Sequence, residues 1–261
     1  MALRIAFDLD GVLADMELDL VRQAEALFGK EPLRRLQERA TEPATAEQTA
    51  PSPAPDEAAD GAVSEPRSAD APPENAPAFV KLRLTERQQG RLWRHVATID
   101  GFWESLAEIE PGSVARLASL AADRQWEIIF LTKRPECAGA TAQVQTQRWL
   151  EAKGFALPSV FVVQGSRGRI AAALDLDYVI DDRPENCLDV VVDSKARAIL
   201  VWRDDESLLP AATRRLGIGV VKSVGECLDI LTQDESAVQQ RASMVEKMKR
   251  LLGLKAGTVD A

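Results

Sequence analysis

Short apolar runs that end in polar residues recur along this chain. Residues 3–7 form one such run, followed by Asp8, Asp10 and Gly11. Residues 127–132, EIIFLT, form a second that closes on Thr132, and residues 177–182, DYVIDD, form a third that closes on Asp181 and Asp182. Runs of this length between turn residues read as buried strands, the second placed at 126–131 and the third at 177–181. Strands are also predicted at 160–163, 197–202 and 218–221. Apolar residues return at helical spacing between them. The helices predicted are 16–29 (stopped by Gly29), 85–97 (Leu92, Trp93 and Val96 on one side), 112–123 (opened by Pro111 and Gly112), 139–153 (stopped by Gly154), 168–174, 184–192, a short one near 209–216, and 224–232. Strands alternating with helices predict an α/β protein: a Rossmann-like, mostly parallel sheet with helices on both faces. There is no internal repeat.

Residues 40–78 break the rhythm. They hold eight Pro, twelve Ala, and eight acids against the single Arg67, so they carry −7 of the total −9. They contain no aromatic residue and only Val63 among the large aliphatics, too little apolar surface to offset the entropy of ordering. This stretch is expected to be a disordered acidic linker. The remainder, at −2, has no basic stripe with interleaved aromatics, so no nucleic-acid partner is expected. A chain of 261 residues with 46% hydrophobic content suits one sizeable core plus an insertion. No run is long enough to span a membrane, and Asp8 and Asp10 interrupt any signal core. Cys137, Cys187 and Cys227 match no zinc spacing and are expected to be reduced thiols in a cytoplasmic protein. Residues 235–253 are amphipathic and are expected to pack on the body.

Asp8 and Asp10 are two apart, so on an ideal strand they share a face. Carboxylates so placed repel unless a cation neutralises them, and hard oxygen ligands suit Mg²⁺. An aspartate beside Mg²⁺ can attack a phosphoryl group. Taken in order, Asp8 and Asp10, Thr132, the basic loop GSRGR with Arg167 and Arg169, and Asp181-Asp182 resemble the four motifs of the haloacid dehalogenase (HAD) superfamily. Residues 101–120, together with DGVLAD and IDDRPENC, are similar to its 5'(3')-deoxyribonucleotidase-like group. The likeness spans roughly 1–28 and 98–230.

The resemblance implies a HAD core of 1–15 and 101–234, a small helical cap of 16–39 and 79–100, the linker 40–78, and a C-terminal helix and tail, 235–261. It implies Asp8 as nucleophile and Asp10 as general acid and base, with Thr132 offering its hydroxyl to phosphate. Asp182 takes the position of a direct Mg²⁺ ligand beside Asp8 and Asp10. Asp181 and Asn186 stand behind it, although Asn186 reads equally well as a helix cap. Relatives carry lysine in the third motif where this chain has arginine. Spacing favours Arg167 over Arg169, and arginine keeps the charge while adding a bidentate grip. Lys133, Arg134 and Trp103 are candidate substrate contacts, with Phe102 and Trp103 placed either to stack on a base or to pack. His95, on a predicted cap helix, is expected at the surface or in packing. The implied substrate is a small phosphomonoester such as a nucleoside monophosphate. Alternatives are a non-catalytic phosphate- or nucleotide-binding module, and a phosphatase for sugar phosphates or nucleic-acid ends.

Overall fold

The computed structural model describes residues 2–30 and 84–234. The linker 40–78, the tail 235–261 and the flanking parts of the expected cap lie outside them. Six strands form one sheet: β1 (Arg4–Asp8), β2 (Glu127–Thr132), β3 (Ser159–Val162), β4 (Tyr178–Asp181), β5 (Arg197–Val201) and β6 (Gly219–Val221). The helices are α1 (Met16–Phe28), α2 (Glu86–Ala97), α3 (Ser113–Arg124), α4 (Ala142–Ala152), α5 (Arg167–Ala173), α6 (Pro184–Asp193), α7 (Ala211–Arg215) and α8 (224–234). No described helix is long and apolar enough to cross a membrane.

The strand order is β3-β2-β1-β4-β5-β6, and every pairing is parallel. This is a Rossmann-like α/β fold. The order reverses between β1 and β4, and at such a switch point the carboxyl ends of the strands open a crevice for ligands. β1 lies at the centre, and Ile5, Ala6 and Phe7 are wholly buried. Its register pairs Asp8 with Leu131 and Phe7 with Ile180. The next residue on β2 is therefore Thr132, and the next on β4 is Asp181. Parallel registry alone gathers Asp8, Thr132 and Asp181 at one edge.

One face of the sheet presents Ala6, Leu131, Val179, Ala198 and Leu200, packed with Ala171 of α5 and with Cys187 and Val190 of α6. Alternate residues such as Phe7, Phe130 and Ile199 point the other way. Phe130 meets Phe155 edge-on, with ring centroids 4.9 Å apart. Trp149 of α4 donates its indole N–H to Leu106 O at 2.7 Å, which satisfies the polar end of a buried ring. All three cysteines are outside any disulfide.

The chain divides into two compact units. One is Met1–Asp15, Trp103–Thr132 and Gln143–Ala261; the other is Met16–Phe102 and Lys133–Ala142. Within the second unit α2 opens with a capping box, in which Thr85 and Gln88 satisfy each other's backbone N–H groups. His95 of α2 lies 3.1 Å from Gln23 of α1, and Arg91 covers the Phe28 ring at 5.4 Å. Residues 133–142, read from the sequence as core, group with this unit instead. Ala138 N donates to Ala97 O at 2.9 Å, and Gly101 N donates to Ala138 O at 3.3 Å.

Candidate active site

β1 stops at Asp8, so Asp8 and Asp10 do not share a strand face as the spacing predicted. The Leu9 carbonyl accepts hydrogen bonds from both Leu13 N and Ala14 N, at 2.8 Å each, and this turns the chain out of the sheet. Gly11 takes φ +89°, and a Cβ there would fall 2.0 Å from Asp182 Oδ2. Only glycine fits, both for its φ and for its contact. Asp10 lies in this turn, where Thr132 Oγ1 donates to its Oδ2 at 3.1 Å. The Thr132 hydroxyl, expected to serve phosphate, thus holds Asp10.

Arg167 opens α5 and is 2% exposed. Its Nη2 donates to Asp8 Oδ1 at 2.5 Å, and its Nε stands 3.6 Å from Asp181 Oδ2. Arg167 Nη1 is buried with no protein acceptor. Arg169 is exposed on the same helix. A short cap fixes the start of α5, with Ser166 Oγ accepting from Arg169 N at 3.3 Å. Gly168 then lets α5 lie against α6: a Cβ would stand 2.1 Å from Asp189 O.

Asp181, at the end of β4, is fully buried and fully engaged. Asn186 Nδ2 donates to its Oδ1 at 3.0 Å and to its Oδ2 at 2.9 Å, and Arg183 N donates to Oδ1 at 2.9 Å. Asn186 therefore serves Asp181 rather than capping α6. With both oxygens so held, Asp181 is placed to brace the cluster, whereas Asp182 Oδ1 is buried without a hydrogen-bond partner.

Charge does not balance here. Four carboxylates (Asp8, Asp10, Asp181 and Asp182) gather around one interior guanidinium. Burial above all, then Asp181, pushes Asp8 well above the usual carboxylate range despite Arg167. Burial likewise raises Asp181, and raises Asp182 to about 7. Buried carboxylates in this state take up protons or a cation. No three His, Cys, Asp or Glu side chains among the described residues are grouped closely enough to hold a metal by themselves. The donor set that remains is Asp8 and Asp182 with its orphaned oxygen. That all-oxygen set fits Mg²⁺.

Three further candidates came from the sequence. Trp103 is wholly buried, and its backbone N–H donates to Gln145 Oε1 at 3.1 Å. Its indole offers no face for stacking, and Phe102 is also buried, so both aromatics are packing residues here. Lys133 and Arg134 belong to the second unit, Lys133 half-buried and Arg134 buried. Sequence reasoning missed Glu110 and Arg203. Arg203 Nη1 donates to Gly11 O at 2.6 Å, and its Nη2 to Val12 O at 3.2 Å and to Glu110 Oε1 at 2.6 Å. The only signal was a charged residue directly after an apolar run, at Arg203.

No protein-family model matches the chain, and no curated protein matches it. Among solved structures it is similar to a hydrolase from Pseudomonas syringae, with 14% identity over 88% of this chain and 98% of that one and a TM-score of 0.45. A HAD family hydrolase from Deinococcus radiodurans R1, holding phosphate and sodium, gives 14% identity over 89% and 96% and a TM-score of 0.45. A phosphonoacetaldehyde hydrolase-like protein from Oleispira antarctica gives 15% over 89% and 92%, with a TM-score of 0.47. Likenesses at these identities and scores establish no family for the chain.

Proposed function

We propose that this protein is a Mg²⁺-dependent phosphomonoester hydrolase of the HAD type, working through an aspartyl-phosphate. The observation that carries this reading is the cluster of four acids around the buried Arg167, at the carboxyl ends of β1 and β4, with Asp8 and Asp181 buried and Asp10 and Asp182 half-buried. Asp8 is the nucleophile: a carboxylate oxygen attacks phosphorus while Asp10 gives its proton to the departing oxygen. Asp10 then takes a proton from water, which hydrolyses the aspartyl-phosphate and frees Asp8. Thr132 keeps Asp10 in place for both roles. Arg167 orients Asp8 through Nη2 and offers its otherwise unused Nη1 to a phosphoryl oxygen. Mg²⁺ held by Asp8, Asp182 and the Asp10 carbonyl would neutralise the charge that builds on the phosphoryl oxygens. Asp181, clamped by Asn186 and Arg183, supports these ligands from behind.

For substrate, the motif resemblance favours a small phosphomonoester, with nucleoside monophosphates first to try. The burial of Trp103 removes one ring on which a base could have stacked, so this preference rests on the motifs alone. The test is turnover of p-nitrophenyl phosphate and a panel of phosphomonoesters by the full chain. Activity is expected with Mg²⁺, to vanish in EDTA, and to be abolished in Asp8→Asn. Asp10→Asn should lose about 10²–10⁴ in rate, the usual worth of acid–base catalysis. Turnover by pure Asp8→Asn protein would overturn the mechanism. Tight phosphate binding without turnover would make the chain a binding module instead.

A further inference from the structure

Arg203 and Glu110 lie outside the acid cluster, yet they grip the turn that carries it. Glu110 follows a segment hydrogen-bonded to that turn: Ile109 N donates to Leu13 O, and Asp15 N to Ala107 O, both at 2.9 Å. Its carboxylate accepts Val224 N at 2.8 Å and Gly225 N at 3.1 Å, at the start of α8. These bonds and Arg203 hold the Glu110 carboxyl below its ordinary value although burial opposes them. Glu110 is thus a fixed anion, and Arg203 is pinned to it at 2.6 Å. The rest of the guanidinium fork takes the carbonyls of Gly11 and Val12. Two successive peptides of the turn are thereby held by their carbonyls. Gly11 in turn abuts Asp182 so closely that a methyl group would collide with that carboxylate.

We propose that Arg203, set by Glu110, is a positioning residue for the cation site: it holds the Gly11 turn at the spacing that lets Asp182 and the Asp10 carbonyl bind one ion. The proposal rests on the hydrolase reading above. It predicts that Arg203 governs metal affinity without touching metal or substrate. Partners standing behind metal ligands typically change affinity 10–100-fold when removed.

The test is calorimetric titration of Mg²⁺ into full-length wild type, Arg203→Ala, Arg203→Lys and Glu110→Gln, with Asp182→Asn as control and melting temperatures alongside. Arg203→Ala is expected to weaken Mg²⁺ binding roughly 10-fold or more. Its kcat at saturating Mg²⁺ should recover most of the wild-type value. Arg203→Lys, which keeps a cation within reach of the carbonyls, should restore part of the affinity, and Glu110→Gln should fall between. Wild-type Mg²⁺ affinity in folded Arg203→Ala overturns the proposal. If Arg203→Ala does not fold, Arg203→Lys and Glu110→Gln decide, and unchanged affinity in both overturns it equally. A wild type without Asp182-dependent Mg²⁺ binding would instead remove the hydrolase reading, and this proposal with it.

Discussion

Arg167 shows how much one side chain carries. Among the described residues it is the cation buried at the four acids, and it touches Asp8 directly. Arg167→Ala should cut turnover by roughly 10²-fold, the scale of losing one preorganised donor where charge develops. Arg167→Lys should retain a substantial part, because a lysine keeps the charge but forfeits the fork. Arg169→Ala, at an exposed position, should leave rate and stability nearly unchanged. Steady-state kinetics on the three variants checks this ordering, and damage from Arg169→Ala with a mild Arg167→Ala would reverse it. At this scale the sequence was informative where chemistry sits on a strand end. Asp8, Thr132, Asp181 and Asp182 each close an apolar run, and the basic loop stood out by its charge. The roles of Thr132 and Asn186 were less legible, because both are set by partners the local pattern does not reveal. Trp103 is the opposite case, an aromatic beside a candidate site whose burial depends on the packed interior.

Elements were legible to within one to three residues because their apolar periods differ so clearly. The α4 boundary moved furthest: residues 139–141 are not helical, and the helix begins at Ala142. The tight seam between α5 and α6 could not be read in advance. Nothing in the sequence marks Gly168, at the start of a predicted helix, as the residue that lies against the α6 backbone. Gly168→Ala would drive a methyl group into the Asp189 carbonyl, 2.1 Å away, and α5 would have to shift with Arg167 at its first turn. Overpacking of this kind costs about 1–3 kcal/mol. The expected outcome is a lower denaturation midpoint together with a loss of turnover at least as large as that of Arg167→Lys. Unchanged stability and rate would mean the seam is looser than the structure shows. Glu110 and Arg203 were hidden for a related reason. Their contact joins residues 93 apart in the chain, and no local pattern encodes it.

At the scale of the whole molecule, the buried acids tie stability to pH and to metal. Asp182 is raised from 3.8 to about 7, and Asp8 and Asp181 move the same way. Between those values the native state keeps a proton that the unfolded chain has already released. Stability without metal is therefore greatest at the acid end of this window and falls as pH rises toward about 7. In EDTA the melting temperature should drop from about pH 5 to about pH 8, and Asp182→Asn should flatten the slope. Mg²⁺ binds the ionised cluster, so adding it should raise the melting temperature most at the alkaline end. A calorimetric melting series across pH, with and without Mg²⁺, measures both effects. A melting temperature that climbs with pH in EDTA would contradict the burial of these acids.

The position of β1 also has a bearing on synthesis. Of the six described strands, β1 is made before the others yet lies inside the finished sheet, and its neighbours come much later: Arg4 pairs with Glu127, and Ile5 with Tyr178. At bacterial or eukaryotic elongation rates, β1 waits on the order of ten seconds for its first partner. During that interval a strand of five residues, four of them buried in the finished fold, has both hydrogen-bonding edges open. Once that wait is over, each later strand meets an edge already made: β2 and β4 add to β1, β3 adds to β2, β5 to β4 and β6 to β5. The sheet can therefore grow outward in chain order from β1, and the long gap before β2 is the interval in which its edges stand open.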